Sequence, residues 1–209
     1  MASPRTLRVA LCQIDTIVGA IDYNTELVLE SLRVAEAAHC DVAVFPELTI
    51  PGYPPEDLVH KPRFVADNVA ALGRIASATS TTAAVVGFVE PGEGSTRGSG
   101  FPTIHNSAAI CANGEIVGTY RKHELPNYQV FDEKRYFTPG TGMPLWSING
   151  VTVAITICED LWIDGGPVNQ AGDAGAQFIL NMNASPYYQG KPAAREEMIR
   201  RRVAETGVP

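Results

Sequence analysis

Val42-Ala43-Val44-Phe45-Pro46-Glu47 runs four apolar residues together, stops them with a proline and delivers a carboxylate at the break. An unbroken apolar run of this length suits a strand covered on both faces, as in a sheet enclosed between other layers. Proline has no N–H to give to a ladder, so the strand ends at Pro46 and Glu47 is presented just beyond it. Two later segments repeat the arrangement. Tyr120-Arg121-Lys122 presents an ammonium, and Ile157-Cys158-Glu159-Asp160 presents a thiol, each where a strand-like run gives way to a loop. A base, a cation and a nucleophile brought together are what covalent hydrolysis of an amide requires.

The rest of the chain supplies the frame. Residues 7–14 have strand composition, and Asn24 is placed to cap a helix whose Leu27, Val28, Leu32, Val34 and Ala35 fall at helical spacing as far as 37–39. Pro51-Gly52-Tyr53-Pro54-Pro55-Glu56-Asp57 holds three prolines and a glycine and is predicted as a stiff loop beside Glu47. A second helix is predicted over 63–80, with Val65, Val69, Leu72 and Ile75 along one side, and a strand over 83–89. The glycine-rich stretch 90–100 is expected to be a mobile surface loop with no role of its own. Asn113-Gly114 predicts a hairpin between strands at 104–111 and 116–120, and Asn149-Gly150 similarly joins 145–148 to 151–157. A further strand is predicted over 178–182, and Pro192 opens a final helix carrying Met198, Ile199 and Val203. Strands of mixed direction with helices alongside imply an α/β sandwich.

Composition narrows the function. The 209 residues, 45% hydrophobic and 19% charged, suit one domain spanning 1–209. A net charge of -7 argues against a general phosphate-backbone binder, which needs a basic surface, so no nucleic-acid partner is expected. The start of the chain has no apolar signal core and no stretch approaches membrane-spanning length, so a soluble, cytoplasmic protein is expected. Cys12, Cys40, Cys111 and Cys158 are widely spaced and lack CxxC pairing, which implies no disulfides. His39, His60, His105 and His123 are equally scattered, and no metal site is expected.

Each residue of interest also has a plainer reading. Cys158 sits at a turn where its side chain can be exposed and reactive, or it is one more buried core cysteine. Glu47 is a base, or a solvated carboxylate after a strand. Lys122, beside Arg121 and His123, is a charged partner or part of a basic surface turn. Tyr53, Tyr128 and Trp162 are equally core or rim aromatics.

Read jointly, FPEL (45–48), YRKHELPN (120–127) and CEDLW (158–162) resemble, in that order, the nitrilase superfamily of carbon-nitrogen hydrolases. The downstream Asn183-Ala184-Ser185-Pro186, Gly190-Lys191 and Arg195 extend the match over essentially the whole chain. PGYPPEDL (51–58), LPNYQVFDEKRYF (125–137) and Pro139-Gly140 are similar to one branch, the N-terminal glutaminase domain of glutamine-dependent NAD synthetases. The resemblance implies a nitrilase-type α-β-β-α sandwich of mixed sheets flanked by helices, here lacking its last C-terminal strands. It implies a catalytic triad of Glu47, Lys122 and Cys158, with Glu133 as the supporting carboxylate that orients the lysine. It places Tyr53, Tyr128, Glu159, Trp162 and Ser185 around a glutamine, with Lys191 and Arg195 as candidate cations for its α-carboxylate or, equally, as members of structural ion pairs.

The resemblance also implies what this chain does not carry. Synthetases of this branch continue into an ATP-dependent domain marked by a Ser-Gly-Gly-x-Asp-Ser loop. That loop is absent here, and Gly190-Lys191-Pro192 lacks both the upstream glycine and the hydroxyl of a Walker-type loop. ATP, with Mg, and nicotinic acid adenine dinucleotide are therefore expected on a synthetase domain of a longer protein, which would be the partner of this domain. A homo-oligomer is expected from the same resemblance. The rival expectations are a stand-alone amidase or carbamoylase of the superfamily and a catalytically silent assembly module.

Overall fold

A computed structural model describes residues 6–96 and 102–209. The expectation for the start of the chain, and for 97–100 of the glycine-rich stretch, falls outside those residues.

Eight strands form two mixed sheets. The first holds β1 (Val9–Leu11), β2 (Val42–Val44), β3 (Ala83–Thr96), β4 (Pro102–Ala112) and β5 (Glu115–Arg121) in that spatial order. β1, β2 and β3 run parallel, and β3, β4 and β5 antiparallel. The second holds β6 (Leu145–Ile148), β7 (Val151–Ile157) and β8 (Phe178–Met182), with β6 and β7 antiparallel and β7 and β8 parallel. Helices α1 (Ile21–Ala37) and α2 (Pro62–Ser77) cover the first sheet, burying Val28, Leu32, Leu72 and Ile75 against Ala43, Ala84 and Val86. Val42, Val44, Val85 and Ile110 point the other way and meet Val153, Ile155, Leu180 and Met182 of the second sheet. This is why β2 reads as a continuous apolar run: both of its faces are covered. After the four-residue helix α3 (Glu133–Tyr136), helices α4 (Pro167–Asp173) and α5 (Lys191–Thr206) back the second sheet and complete the α-β-β-α layering.

Several expectations need correction. β3 continues past Val89 to Thr96 rather than opening into a loop at Glu90, because β4 pairs with it through Pro91↔Ile104 and again at Thr96↔Pro102. Glu90 is anchored as well, accepting from Ser107 Oγ at 2.7 Å and pairing with Arg121 through both of its oxygens, at 2.7 and 3.0 Å. Asn24 is not a cap. It lies inside α1, fully buried, and its amide donates to Ile17 O and Ile50 O and accepts from Ile17 N, tying the helix to the loop after Glu47. Val34 and Ile199 face solvent despite their helical spacing. The strand expected over 7–14 is only Val9–Leu11, and α4 was not foreseen. All four cysteines are free thiols. No helix among the described residues is long and apolar enough to cross a membrane.

Candidate active site

β2, β5, β7 and β8 all end at one rim of the sandwich, and each is followed by a residue named above: Glu47, Lys122, Cys158 and Ser185. Backbone fit decides how Glu47 arrives there. Phe45 N donates to Val85 O and Ile50 N to Gly87 O, so the Pro46-Glu47-Leu48 turn lies directly over β3. A Cβ on Gly87 would strike Leu48 N and come within 2.7 Å of Pro46 O. Gly87→Ala is therefore expected to push the Glu47 turn out of place. Hydrolytic activity should drop on the order of 10²-fold, because misplacement of about 1 Å costs that much. Overpacking should cost about 1–3 kcal/mol, read by chemical denaturation.

Glu47 is 2% exposed and Lys122 1% exposed, which excludes the surface readings of both. Lys122 Nζ donates to Glu47 Oε1 at 2.6 Å and to both oxygens of Glu133 at 2.9 Å. Burial works against its charge, but Glu47 and Glu133 outweigh burial and hold the ammonium above its ordinary range, so it stays protonated. Burial, and then the neighbouring Glu47, push Glu133 upward, while Lys122 and the Tyr53 hydroxyl, donating at 2.9 Å, pull it back. Two carboxylates share one ammonium, which ties the three buried side chains together.

Cys158 is also buried, at 3% exposure, rather than exposed at its turn. Its φ of 47° lies in the left-handed region that L-residues rarely occupy, and it opens a short 3-10 turn, Cys158–Leu161. The thiol is pushed up to about 12, first by burial and then by Glu47, with Lys122 pulling the other way. Its Sγ lies 3.3 Å from Ser185 Oγ. The resting group is therefore a neutral thiol that needs a base.

Asp160 holds the thiol turn against the lysine loop and was not singled out in the sequence. Fully buried, it accepts from Tyr120 Oη at 2.8 Å, Ile157 N at 2.8 Å, Glu124 N at 2.8 Å and His123 N at 3.2 Å. Asn106 on β4 was also missed. Its Nδ2 donates to Glu47 Oε1 at 2.8 Å, its backbone O accepts from Lys122 N at 2.9 Å, and its buried Oδ1 has no partner among the described residues. No spacing rule flags either residue, since each meets the site across strands rather than along one.

The remaining named residues divide. Glu159, 8% exposed, accepts from Tyr128 Oη at 3.0 and 2.8 Å. Lys191 is buried at the start of α5, with Nζ 5.1 Å from the centre of the Tyr188 ring, and is lowered by burial and by Arg195 while Cys158 and Glu159 favour its charge. Neither Lys191 nor Arg195 makes an ion pair among the described residues, which leaves the structural-pair reading of both without support. Trp162 packs against Leu161, Val168 and Met198. Among the described residues no group of three or more His, Cys, Asp or Glu side chains is arranged to hold a metal ion.

The carbon-nitrogen hydrolase family model matches residues 8–209. The chain is 43% identical over 205 residues to the glutamine-dependent NAD(+) synthetase of Xanthomonas campestris pv. campestris, covering 97% of this chain and 36% of that protein. It is 40% identical to the enzyme of that name from Thermotoga maritima, covering 93% and 33% respectively. Its backbone superposes on the glutamine-dependent NAD+ synthetase of Acinetobacter baumannii with a TM-score of 0.88 at 34% identity, over 97% of this chain and 37% of the other. A Nesterenkonia amidase of the nitrilase superfamily shares the fold, with a TM-score of 0.81 at 24% identity. The chain spans about a third of the length of the curated relatives it matches. With the family model running from Arg8 to the last residue, and the strand-end residues gathered at one rim, this chain belongs to the carbon-nitrogen hydrolase family.

Proposed function

We propose that this chain is the glutamine amidohydrolase domain of a glutamine-dependent NAD synthetase, hydrolysing glutamine through a cysteine thioester. The observation that carries the reading is the buried Glu47–Lys122–Glu133 cluster set beside a buried, neutral Cys158. Such a cluster is costly to bury unless the charges work on something.

Glu47 takes the Cys158 proton as Sγ attacks the side-chain carboxamide carbon of glutamine. The carbonyl electron pair moves to oxygen, where the Lys122 ammonium and a backbone N–H following Cys158 receive it. Glu47 then gives its proton to the departing nitrogen, ammonia leaves, and a thioester remains. Water, deprotonated by the same Glu47, releases glutamate and returns the thiol. Lys122 cannot share the base role, because its two carboxylate partners keep it protonated. Glu133, held by Tyr53, orients the lysine.

Glu159, fixed by Tyr128, is the partner for the substrate α-ammonium, which would select an amino acid over a simple amide. Lys191 and Arg195 receive the α-carboxylate, Ser185 borders the thiol, and Trp162 backs the wall of the site. In the parent protein the ammonia passes to a synthetase domain that amidates nicotinic acid adenine dinucleotide with ATP and Mg. Those groups are proposed to bind on that synthetase domain rather than on this chain. We further propose a homo-oligomer working in the cytoplasm.

The test is ammonia and glutamate release from glutamine by the protein expressed from its complete gene, with asparagine and simple amides as competitors. Glutamine-selective release supports the reading. Release from simple amides alone makes the protein a stand-alone amidase or carbamoylase, and none from any amide makes it an assembly module.

A further inference from the structure

Glu47 has two oxygens in unlike surroundings. Oε1 receives two strong donors, Lys122 Nζ at 2.6 Å and Asn106 Nδ2 at 2.8 Å. Among the described residues Oε2 receives only Ala184 N, at 3.2 Å. Ala184 precedes Ser185, whose hydroxyl touches Cys158 Sγ, so the loosely held oxygen is linked to the thiol side of the site. The same Asn106 Nδ2 lies 3.4 Å from Glu133 Oε2, so one nitrogen bridges the two carboxylates that flank Lys122.

The orientation of that amide is set by charge. Turned over, it would aim its oxygen at two carboxylates, so the nitrogen must face them, although this leaves Oδ1 buried and unpartnered. A side chain present only to fill space would not need to strand an acceptor, since leucine has nearly the same shape and strands nothing.

We propose that Asn106 is a positioning residue for the hydrolysis: it clamps Glu47 Oε1 and Glu133 Oε2, and so leaves Glu47 Oε2 as the oxygen that takes and returns the thiol proton. In the attack the S–H bond breaks, an O–H bond forms at Oε2, the S–C bond forms, and the carbonyl pair moves to oxygen. In the collapse that pair returns, the C–N bond breaks, and the Oε2 proton goes to nitrogen. Without the clamp the carboxylate turns about its own bond and presents either oxygen. The proposal rests on the amide-hydrolase reading above, though not on glutamine being the amide.

Asn106→Leu and Asn106→Asp, made in the protein from its complete gene, test it with whichever amide the wild type hydrolyses. Asn106→Leu is expected to keep Tm close to wild type while kcat falls on the order of 10²-fold and KM stays within about threefold. Asn106→Asp at about pH 8 sets a third carboxylate against Glu47 and Glu133, near Lys122 and Cys158, and loses at least as much. Toward about pH 6 the new acid takes up a proton, donates an O–H in place of the lost N–H, and regains activity relative to wild type by about tenfold. A packing role predicts instead that leucine, of nearly the same shape, retains both activity and stability; that pattern overturns the proposal. So does a loss carried by KM, or an aspartate loss equal at both pH values. If simple amides are hydrolysed and glutamine is not, the glutaminase reading fails while the Asn106 comparison still decides. Absence of all amide hydrolysis overturns both.

Discussion

Replacing Cys158 by alanine is expected to lower the proposed glutamine hydrolysis by on the order of 10⁴-fold or more while leaving the fold intact. No other described thiol can substitute. Cys111 is buried against the α1–α2 side of the first sheet, and Cys12 and Cys40 pack on that same side. The fold should survive because the change removes one sulfur atom at the rim of the intersheet core and takes away no buried charge. The neutral resting thiol gives a second readout. With the group pushed up to about 12, the difference in thiolate absorbance between wild type and Cys158→Ala should be flat across neutral pH. A thiolate signal near neutrality would mean a preformed ion pair and would take the base role from Glu47. Retained hydrolysis in the alanine variant would end the thioester mechanism altogether.

Lys122→Met should be the more damaging change, because it strikes activity and stability together. The ammonium is the one cation hydrogen-bonded to both Glu47 and Glu133 among the described residues, and all three side chains are buried. Removing one partner of a buried ionic group leaves the others uncompensated, which costs about 3–5 kcal/mol. Methionine matches the lysine stem, so the loss would come from charge rather than from a hole. Chemical denaturation should therefore show a stability loss that shrinks on acidification, as the stranded carboxylates take up protons. Glu133 is already displaced upward by burial and by Glu47, so it should be among the first to do so. Hydrolysis should be lost at every pH, since the proposed mechanism gives the oxyanion to the Lys122 ammonium. A stable, active Lys122→Met protein would remove the ammonium from the mechanism.

Some elements were legible because their signal is local. β2 reads as a continuous apolar run that stops at Pro46, β7 and β8 read as mostly apolar runs that end before Cys158 and the Asn183 segment, and both Asn-Gly pairs turn hairpins as expected. Others were hidden because a partner overrides composition. Glu90 to Thr96 is polar and glycine-rich, yet β4 draws it into the sheet and Arg121 neutralises Glu90. Asn24 carries every mark of a cap and is instead the buried tie between α1 and the loop after Glu47. The short α4 shows too little periodicity over seven residues to announce itself.

The site divides along the same line. Sequence alone determined which residues stand at strand ends, and motif resemblance ordered Glu47, Lys122, Cys158 and Glu133 into one family's pattern. Only the tertiary structure decided that Cys158 is buried and neutral, that Gly87 makes room for the Glu47 turn, that Asp160 ties the thiol turn to the lysine loop, and that Asn106 bridges two carboxylates. The reason is physical: burial and charge pairing depend on distance and on the water excluded between groups, and residues 59 or 75 positions apart along the chain acquire both only when the sheets close.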